Sequence, residues 1–144
     1  MAGSSAACER LVCPEVAEPP GATWSNGIRI GQELVLSGMT AHPASREGTL
    51  DTYAQTRVVL EKIRALLVAG GGGVHNLYKL VVYVTDIADK EAVGRARRDF
   101  FAGFAACPCS TLVQVSALVF PELRVEIDGY ARLDFDLNAL AARP

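Results

Sequence analysis

The clearest helical pattern lies in residues 51–69, where apolar side chains recur every three or four positions and polar side chains fall on the opposite side. The predicted apolar stripe comprises Tyr53, Leu60, Ile63 and Leu67. Gln55 belongs to the polar set and is predicted to face solvent. Four glycines at positions 70–73 then supply a helix end. Because no Lys-Ser/Thr pair follows them, they are not typical of a phosphate-binding loop.

Alternating and continuous apolar runs predict five strands. Residues 77–85 are almost continuously apolar and rich in β-branched side chains, which indicates an interior strand buried on both faces. Residues 123–133 alternate strictly between apolar and polar positions. The remaining strands are predicted over residues 24–30, 33–37 and 110–118, the first two forming a hairpin.

A second amphipathic helix is predicted over residues 89–104, begun by Asp86 or Asp89 and ended by Pro108. The predicted order is therefore β-β-α-β-α-β-β, with two helices long enough to cover one face of a mixed sheet. The other face would expose a set of apolar side chains: Val81, Tyr83, Val113 and Val115. Because such a face is unfavourable in water, we expect an oligomer that buries it.

The domain organisation follows from length and from the distribution of prolines. A chain of 144 residues is expected to form one domain. Residues 1–22 have little apolar periodicity and contain three prolines, so they are predicted to form an N-terminal arm. Residues 23–144 form the predicted single domain. Since half of the residues are apolar and 21% are charged, intrinsic disorder is excluded.

Charge and hydropathy exclude several partners and compartments. The formal net charge of −2 is too balanced for a phosphate backbone, so no nucleic-acid partner is expected. No membrane association is expected either, because no apolar run approaches the ~18 residues of a membrane span. The N-terminus has no apolar signal core, which predicts a cytoplasmic protein. Four cysteines are too few to staple a chain of this length, and we expect reduced thiols.

Without knowledge of any family, the sequence offers little catalytic chemistry. The Cys107-Pro108-Cys109 pair is interpreted as two small buried hydrophobic residues at a strand entry, since a structural zinc site needs four ligands in paired spacings. No metal site is predicted. His42 and His75 lie beside predicted loops, where solvent-facing or locally hydrogen-bonded side chains are more common than catalytic ones.

A series of short motifs resembles the YjgF/RidA family, which is also labelled the L-PSP endoribonuclease family. The motifs occur in the order and spacing of that family and span about residues 22–133. They are Trp24-Ser25-Asn26-Gly27, Leu36-Ser37-Gly38, Gln55, the run from Lys79 to Asp86, Pro108 with Gln114-Val115, and Val125-Glu126-Ile127. The resemblance implies a chorismate-mutase-like α+β fold with a mixed six-stranded sheet and two helices on one face. It also implies a homotrimer with pockets between subunits, whose active members hydrolyse amino-acid-derived imines and enamines without a cofactor.

The site residues implied by the resemblance can be carried over position by position. Trp24 corresponds to an aromatic residue of the pocket, Gly38 to a glycine whose backbone meets the ligand, and Glu126 to the catalytic glutamate that positions the attacking water. The departure is in the Pro-x-Arg-Ser/Thr motif, where Ser110 replaces the arginine that binds the substrate carboxylate. A serine lacks the charge and the paired donors of a guanidinium, so 2-imino acids are expected to bind poorly.

Two arginines could supply the missing cation. Arg124 is predicted to share the strand face of Glu126, and Arg97 projects from the second predicted helix. Arg124 is therefore included with Trp24, Gly38 and Ser110 among the predicted substrate-binding residues.

Three functions remain open at this point. The first is a trimeric protein that binds a small, neutral or less acidic metabolite between subunits and has weak or no imine deaminase activity. The second is a cofactor-free imine or enamine deaminase, a hydrolase, with an altered substrate. The third, a ribonuclease or translation inhibitor, agrees poorly with the near-neutral charge and the lack of a basic stripe.

Overall fold

A computed structural model of the chain describes residues 7–141 and residue 143. Within them lie six strands and two α-helices, joined by loops and single 3-10 turns. In chain order the elements are β1 (Cys8–Arg10), β2 (Gly27–Ile30), β3 (Glu33–Leu36), α1 (Thr52–Ala69), β4 (Leu77–Val84), α2 (Lys90–Phe100), β5 (Cys109–Gln114) and β6 (Val125–Arg132). None of the helices in this part of the chain combines the length and apolar character needed to cross a membrane.

The strands form one mixed sheet in the order β1-β2-β3-β6-β4-β5, in which only the β4–β5 pair is parallel. Both helices pack on the same face of this sheet. The core between the layers includes Leu60, Ile63 and Leu67 of α1, Val93 of α2, and Leu80, Val82 and Ile127 of the sheet. The predicted α+β fold, with a six-stranded mixed sheet and two helices on one face, is confirmed.

None of the described residues forms a layer on the other face of the sheet, and we call it the open face. Residues paired across neighbouring strands share a face, so Val81 lies with Asp128, and Tyr83 lies with Glu126 and Val113. Val113 remains 40% exposed. The strand at residues 77–84 is thus buried on one face only in a single chain, and the oligomer that would cover the other face stays a prediction.

The segment predicted as an N-terminal arm, residues 1–22, contributes to both sheet and core where it is described. β1 pairs antiparallel with β2 at the sheet edge. Leu11, Cys13 and Val16 are buried in the main core. No pattern predicts β1, because all three of its residues are exposed and an edge strand this short shows no alternation.

Two predicted elements end earlier in the structure than in the sequence analysis. α2 ends at Phe100 and not at residue 104, because Gly103 adopts a positive φ of 91° and the chain turns. The apolar spacing continues through the turn, where the Phe101 and Phe104 rings pack edge to face. β5 ends at Gln114 because the neighbouring strand β4 ends at Val84. The Val84 carbonyl accepts the last backbone hydrogen bond between the two strands, from the Val115 amide.

Candidate functional site

Gly38 and Glu126, two predicted site residues far apart in the chain, are in contact on the open face. A Cβ atom added to Gly38 would lie 2.8 Å from Glu126 Cδ and 3.0 Å from Asp128 Oδ1. The approach is fixed by two backbone hydrogen bonds of 2.9 and 3.0 Å between Met39 and Ile127, which continue the sheet beyond β3. Any side chain at position 38 would displace the Glu126 carboxylate from this position.

Two carboxylates lie side by side along β6 at this point. Glu126 is half-buried, and burial raises the pKa of its carboxyl, with repulsion from Asp128 acting in the same direction. Tyr83 donates a 2.9 Å hydrogen bond from its hydroxyl to Asp128 Oδ2, which raises the pKa of the tyrosine. The alternation of β6 places Asp128 on the same face as Glu126, whereas the β4–β6 register brings Tyr83 beside them. The sequence assigns neither Asp128 nor Tyr83 a role.

Trp24 lies in the loop before β2 and is 50% exposed. Its indole N–H donates to Asn26 Oδ1 at 3.1 Å, and the buried Asn26 amide group donates in turn to Val16 O. This loop is tied to the residue before Gly38, because the Ser37 hydroxyl donates to Ser25 O and the Ser37 amide donates to Asn26 O. The loop that carries Trp24 is therefore held against Ser37, the residue before Gly38.

Ser110 faces the opposite side of the sheet from Glu126. Its register partner on β4 is Leu80, which is fully buried under the helices, whereas Glu126 pairs with Tyr83 on the open face. Positions 80 and 83 of one strand point to opposite faces. The chain does not bring these two predicted site residues together.

Arg97 of α2 meets Ser110 directly. Its Nη1 donates a 2.6 Å hydrogen bond to the Ser110 hydroxyl oxygen. The two side chains line a hollow of about 290 Å³ between α2 and the start of β5, together with Leu80, Phe101, Cys107 and Pro108. Partial burial lowers the pKa of the Arg97 guanidinium. Of the two replacement cations considered from the sequence, Arg97 is the one that reaches Ser110.

Arg124 is engaged elsewhere. Its Nε and Nη2 atoms donate to Asp89 Oδ2 at 3.0 and 2.9 Å, at the beginning of α2. The pair lines a separate hollow beside Tyr53 and Arg95. Arg124 precedes the first residue of β6, so the alternation of that strand does not fix where its side chain points.

Gln55 was predicted to face solvent, and this prediction is wrong: its side chain is only 1% exposed. Its Nε2 donates to Leu50 O and Glu122 O, and its Oε1 accepts from the Arg124 amide. These bonds attach α1 to the chain entering β6 and so position Glu126 two residues later. The signal that could have identified Gln55 was its position among the family motifs, since helical periodicity alone treats it as a surface residue.

The interpretation of the Cys107-Pro108-Cys109 pair as buried is also wrong, because both cysteines are exposed. The reason is topological: β5 is the edge of the sheet, so the chain entering it has a neighbour on one side only. Cys13, Cys107 and Cys109 form no disulfide. Among the described residues, no three His, Cys, Asp or Glu side chains are arranged to hold a metal ion.

The two histidines differ in environment. His75 is exposed, as expected. His42 is half-buried and stacks on Phe120 with ring centroids 4.3 Å apart, and its Nδ1 has no hydrogen-bond partner in the part of the chain that the structure describes.

Residues 15–133 match the family model described as Endoribonuclease L-PSP. A relative in Escherichia coli, the putative reactive intermediate deaminase TdcF, is 30% identical over 121 residues, which are 81% of this chain and 93% of TdcF. The 2-iminobutanoate/2-iminopropanoate deaminase of Escherichia coli is 27% identical over 124 residues, covering 85% of this chain and 96% of that enzyme.

Solved structures agree with this match. A Pseudomonas aeruginosa protein of unknown function, PA3499, is 57% identical with a TM-score of 0.91, over 94% of this chain and 99% of that one. The structure of Escherichia coli TdcF with bound serine has a TM-score of 0.75 at 26% identity, over 86% of this chain and 98% of that one.

Proposed function

The chain belongs to the endoribonuclease L-PSP family, also called YjgF/RidA, and from this premise we propose a trimeric protein that binds a small metabolite between its subunits. We further propose that it hydrolyses short 2-imino acids weakly or not at all. The proposal covers the ligand site, the oligomer and the low activity toward the substrate named for the Escherichia coli relative.

One observation carries the inter-subunit pocket: the two halves of the candidate site lie on opposite faces of the sheet. Gly38 and Glu126 form one half on the open face. Ser110 and Arg97 form the other at the edge of β5, on the side of the helices. Within one chain the sheet separates them, so only the edge of one copy and the open face of another could complete a single pocket. A cyclic trimer satisfies this requirement three times.

The low imine deaminase activity follows from the absence of an arginine at position 110. Hydrolysis of a 2-imino acid adds water to the imine carbon, breaks the carbon–nitrogen bond and releases ammonia and a keto acid. Glu126 is suited to accept the proton of that water, since its carboxylate is half-buried beside the Gly38 backbone. The substrate must be held while this occurs, and Ser110 brings no charge where the family motif has an arginine.

A second candidate is a hydrolase of the same type with a different substrate. The raised pKa of Glu126 favours it, because a carboxyl that exchanges its proton nearer neutral pH is a more effective general acid or base. Neither candidate requires a cofactor or metal ion, and we propose none. We also propose no nucleic-acid partner, given the net charge of −2, and a cytoplasmic location.

The test is the hydrolysis of 2-iminobutyrate, generated in situ from 2-aminobutyrate by an amino-acid oxidase, with semicarbazide as the competing trap. The Escherichia coli deaminase serves as the reference enzyme. We expect a wild-type rate at least about thirtyfold lower than the reference, because a lost charge-assisted contact costs ~2 to 5 kcal/mol. Ser110→Arg, alone and combined with Arg97→Ser, returns the cation to the strand and is expected to raise the rate.

Ser116→Arg is the matched control, since Ser116 is exposed in the loop after β5 and gains the same charge. A wild-type rate equal to the reference would contradict the proposed low activity. If the wild-type rate is low and neither Ser110 variant exceeds Ser116→Arg, the absence of a strand arginine is not its cause.

A further inference from the structure

We propose that Arg97 and Ser110 form a carboxylate-binding site whose cation comes from α2, and that this site selects the ligand of the pocket. The inference rests on the proposed function only in taking this site and Glu126 to serve the same ligand. The ligand class is a small carboxylic acid, in place of the neutral or less acidic metabolite expected from the sequence, and its carboxylate lies where Arg97 and Ser110 meet rather than where an arginine at position 110 would hold it.

The first support is that no carboxylate in the part of the chain that the structure describes neutralises the Arg97 charge, since the neighbour that interacts with it electrostatically is the Cys107 thiol. Arg97 is half-buried, and no acidic side chain among the described residues lies within 4.0 Å of its guanidinium. By contrast, Arg124 on the same layer is paired with Asp89 at 2.9 Å. Partly buried cations are usually paired, because losing water around an unpaired charge is unfavourable. An anionic ligand would supply the missing partner.

The second support is the geometry of the donors. The Ser110 oxygen accepts the 2.6 Å hydrogen bond from Arg97 Nη1, which leaves the serine proton free to donate. The guanidinium has further N–H groups beyond the one used here. One carboxylate could therefore accept from Ser110 with one oxygen and from Arg97 with the other, as a pair of convergent charge-assisted bonds.

The third support is the hollow itself. Its volume of about 290 Å³ is at the small end of ligand pockets, and its walls include the apolar side chains of Leu80, Phe101 and Pro108. Apolar walls strengthen the attraction between Arg97 and an anion, since they exclude water from the pair. A hollow of this size accommodates a small acid.

The different origin of the cation has a consequence for specificity. An arginine at position 110 would extend from the sheet edge, whereas Arg97 reaches the same serine from the helix layer. A carboxylate bound by Arg97 therefore lies close to the Ser110 hydroxyl, where a strand arginine would have put its own side chain. Moving the cation from Arg97 to position 110 should therefore change which ligand the site prefers.

The first test is calorimetric titration of the intact protein with 2-ketobutyrate and with its neutral amide, 2-oxobutanamide. Arg97→Gln is expected to weaken binding of the acid by about fivefold or more, with no change for the amide. Arg95→Gln is the matched control, because it removes the same charge from the same helix while its guanidinium lies over the Tyr53 ring. Circular dichroism checks that each variant is folded.

The second test does not depend on the chosen acid. Cys107 is exposed and lines the hollow with Arg97, so iodoacetate, a carboxylate, should be drawn to it relative to neutral iodoacetamide. We expect the ratio of the two alkylation rates at Cys107, followed by mass spectrometry, to fall about fivefold in Arg97→Gln and to stay unchanged in Arg95→Gln.

These outcomes are separate from those of the imine assay. If neither the titration nor the alkylation ratio distinguishes Arg97→Gln from Arg95→Gln, the carboxylate site is wrong, whatever the rate on 2-iminobutyrate. If both distinguish them while the wild type hydrolyses 2-iminobutyrate as fast as the reference enzyme, the carboxylate site stands and the proposed low activity is wrong.

Discussion

The Cα atom of Gly38 lies so close to the Glu126 carboxylate that a Cβ atom added to Gly38 would be 2.8 Å from Glu126 Cδ. The contact joins the end of β3 to the start of β6, although 88 positions of sequence separate the two residues. Both strands are held in place by the Met39–Ile127 backbone bonds, so neither can withdraw to make room.

Replacement of Gly38 by alanine is expected to lower the free energy of unfolding by no more than about 1 kcal/mol, because the atoms that must move are the flexible ends of the Glu126 and Asp128 side chains on a half-buried face. It should also abolish binding of 2-ketobutyrate, because the Glu126 carboxylate must rotate away from its present position. Urea unfolding followed by circular dichroism and calorimetric titration measure the two effects.

Gly48→Ala is the control for this prediction, since a Cβ at Gly48 would meet no atom within 4 Å. It should change neither stability nor binding. Equal stability and equal binding of the two alanine variants would show that the Glu126 side chain moves aside without loss of either and that Gly38 is not required.

The raised pKa of Glu126 predicts how its replacement changes stability with pH. Since the folded state holds the proton more tightly than the unfolded state, the contribution of Glu126 is full below the unfolded pKa of about 4.5 and is lost as pH rises through the folded pKa. Glu126→Gln removes this loss. We therefore expect the variant to gain stability relative to the wild type between pH 4.5 and neutral pH.

The measurement is urea unfolding of both proteins across that pH range at one protein concentration. Glu47→Gln, in an exposed loop, is the control for removing one negative charge. Stability profiles of Glu126→Gln and wild type that stay parallel across the range would contradict the assigned role of burial at Glu126.

Much of the fold could be predicted because its signals are local. The alternation in residues 123–133 correctly assigns Glu126 and Asp128 to one face and Val125 and Ile127 to the core. The helical stripe of α1 likewise predicts the burial of Leu60, Ile63 and Leu67, although Tyr53 is only partly buried. It does not predict the buried polar residues of that helix, which are Thr52, Gln55 and Thr56. In both cases the side-chain period of a single element determines which residues are buried.

The arrangement of the site could not be predicted because it depends on non-local register. The opposite facing of Ser110 and Glu126 follows from the parallel pairing of Leu80 with Ser110, and a shift of one residue would reverse it. Whether Arg97 or Arg124 reaches Ser110 depends on where α2 crosses the sheet edge. Neither the strand register nor the position of α2 is encoded in the periodicity of a single segment.

The buried amide of Gln55 predicts a stability defect at a distance from the pocket. Gln55→Leu removes three hydrogen bonds and leaves the Leu50 and Glu122 carbonyls and the Arg124 amide without their partner. Buried unsatisfied groups cost about 1 to 3 kcal/mol each, so we expect a loss of roughly 3 kcal/mol or more in the free energy of unfolding.

Gln114→Leu is a matched control for that substitution, because Gln114 is exposed and accepts a single hydrogen bond, from the Ile87 amide. Its loss should stay below about 1 kcal/mol. Thermal or urea unfolding measures the loss of stability in the two variants. Equal losses would mean that Gln55 does not support the chain entering β6.

The open face predicts the oligomeric state. We expect light scattering to give a mass of about 46 kDa, three times the 15.3 kDa of one chain. Val113→Asp introduces a charge beside Tyr83 on that face and should yield a folded species with the mass of one chain, since burying an unpaired carboxylate is unfavourable. Val68→Asp makes the same change at an even more exposed valine on α1 and should leave the trimer intact.

Dissociation also separates the two halves of the proposed pocket, because Glu126 and Ser110 cannot meet within one chain. Val113→Asp is therefore expected to lose binding of 2-ketobutyrate although neither half of the site is changed, whereas Val68→Asp binds as the wild type does. A wild-type mass of one chain would contradict the trimer. Undiminished binding by a monomeric Val113→Asp would mean that one chain carries a complete site, and the pocket between subunits would have to be abandoned.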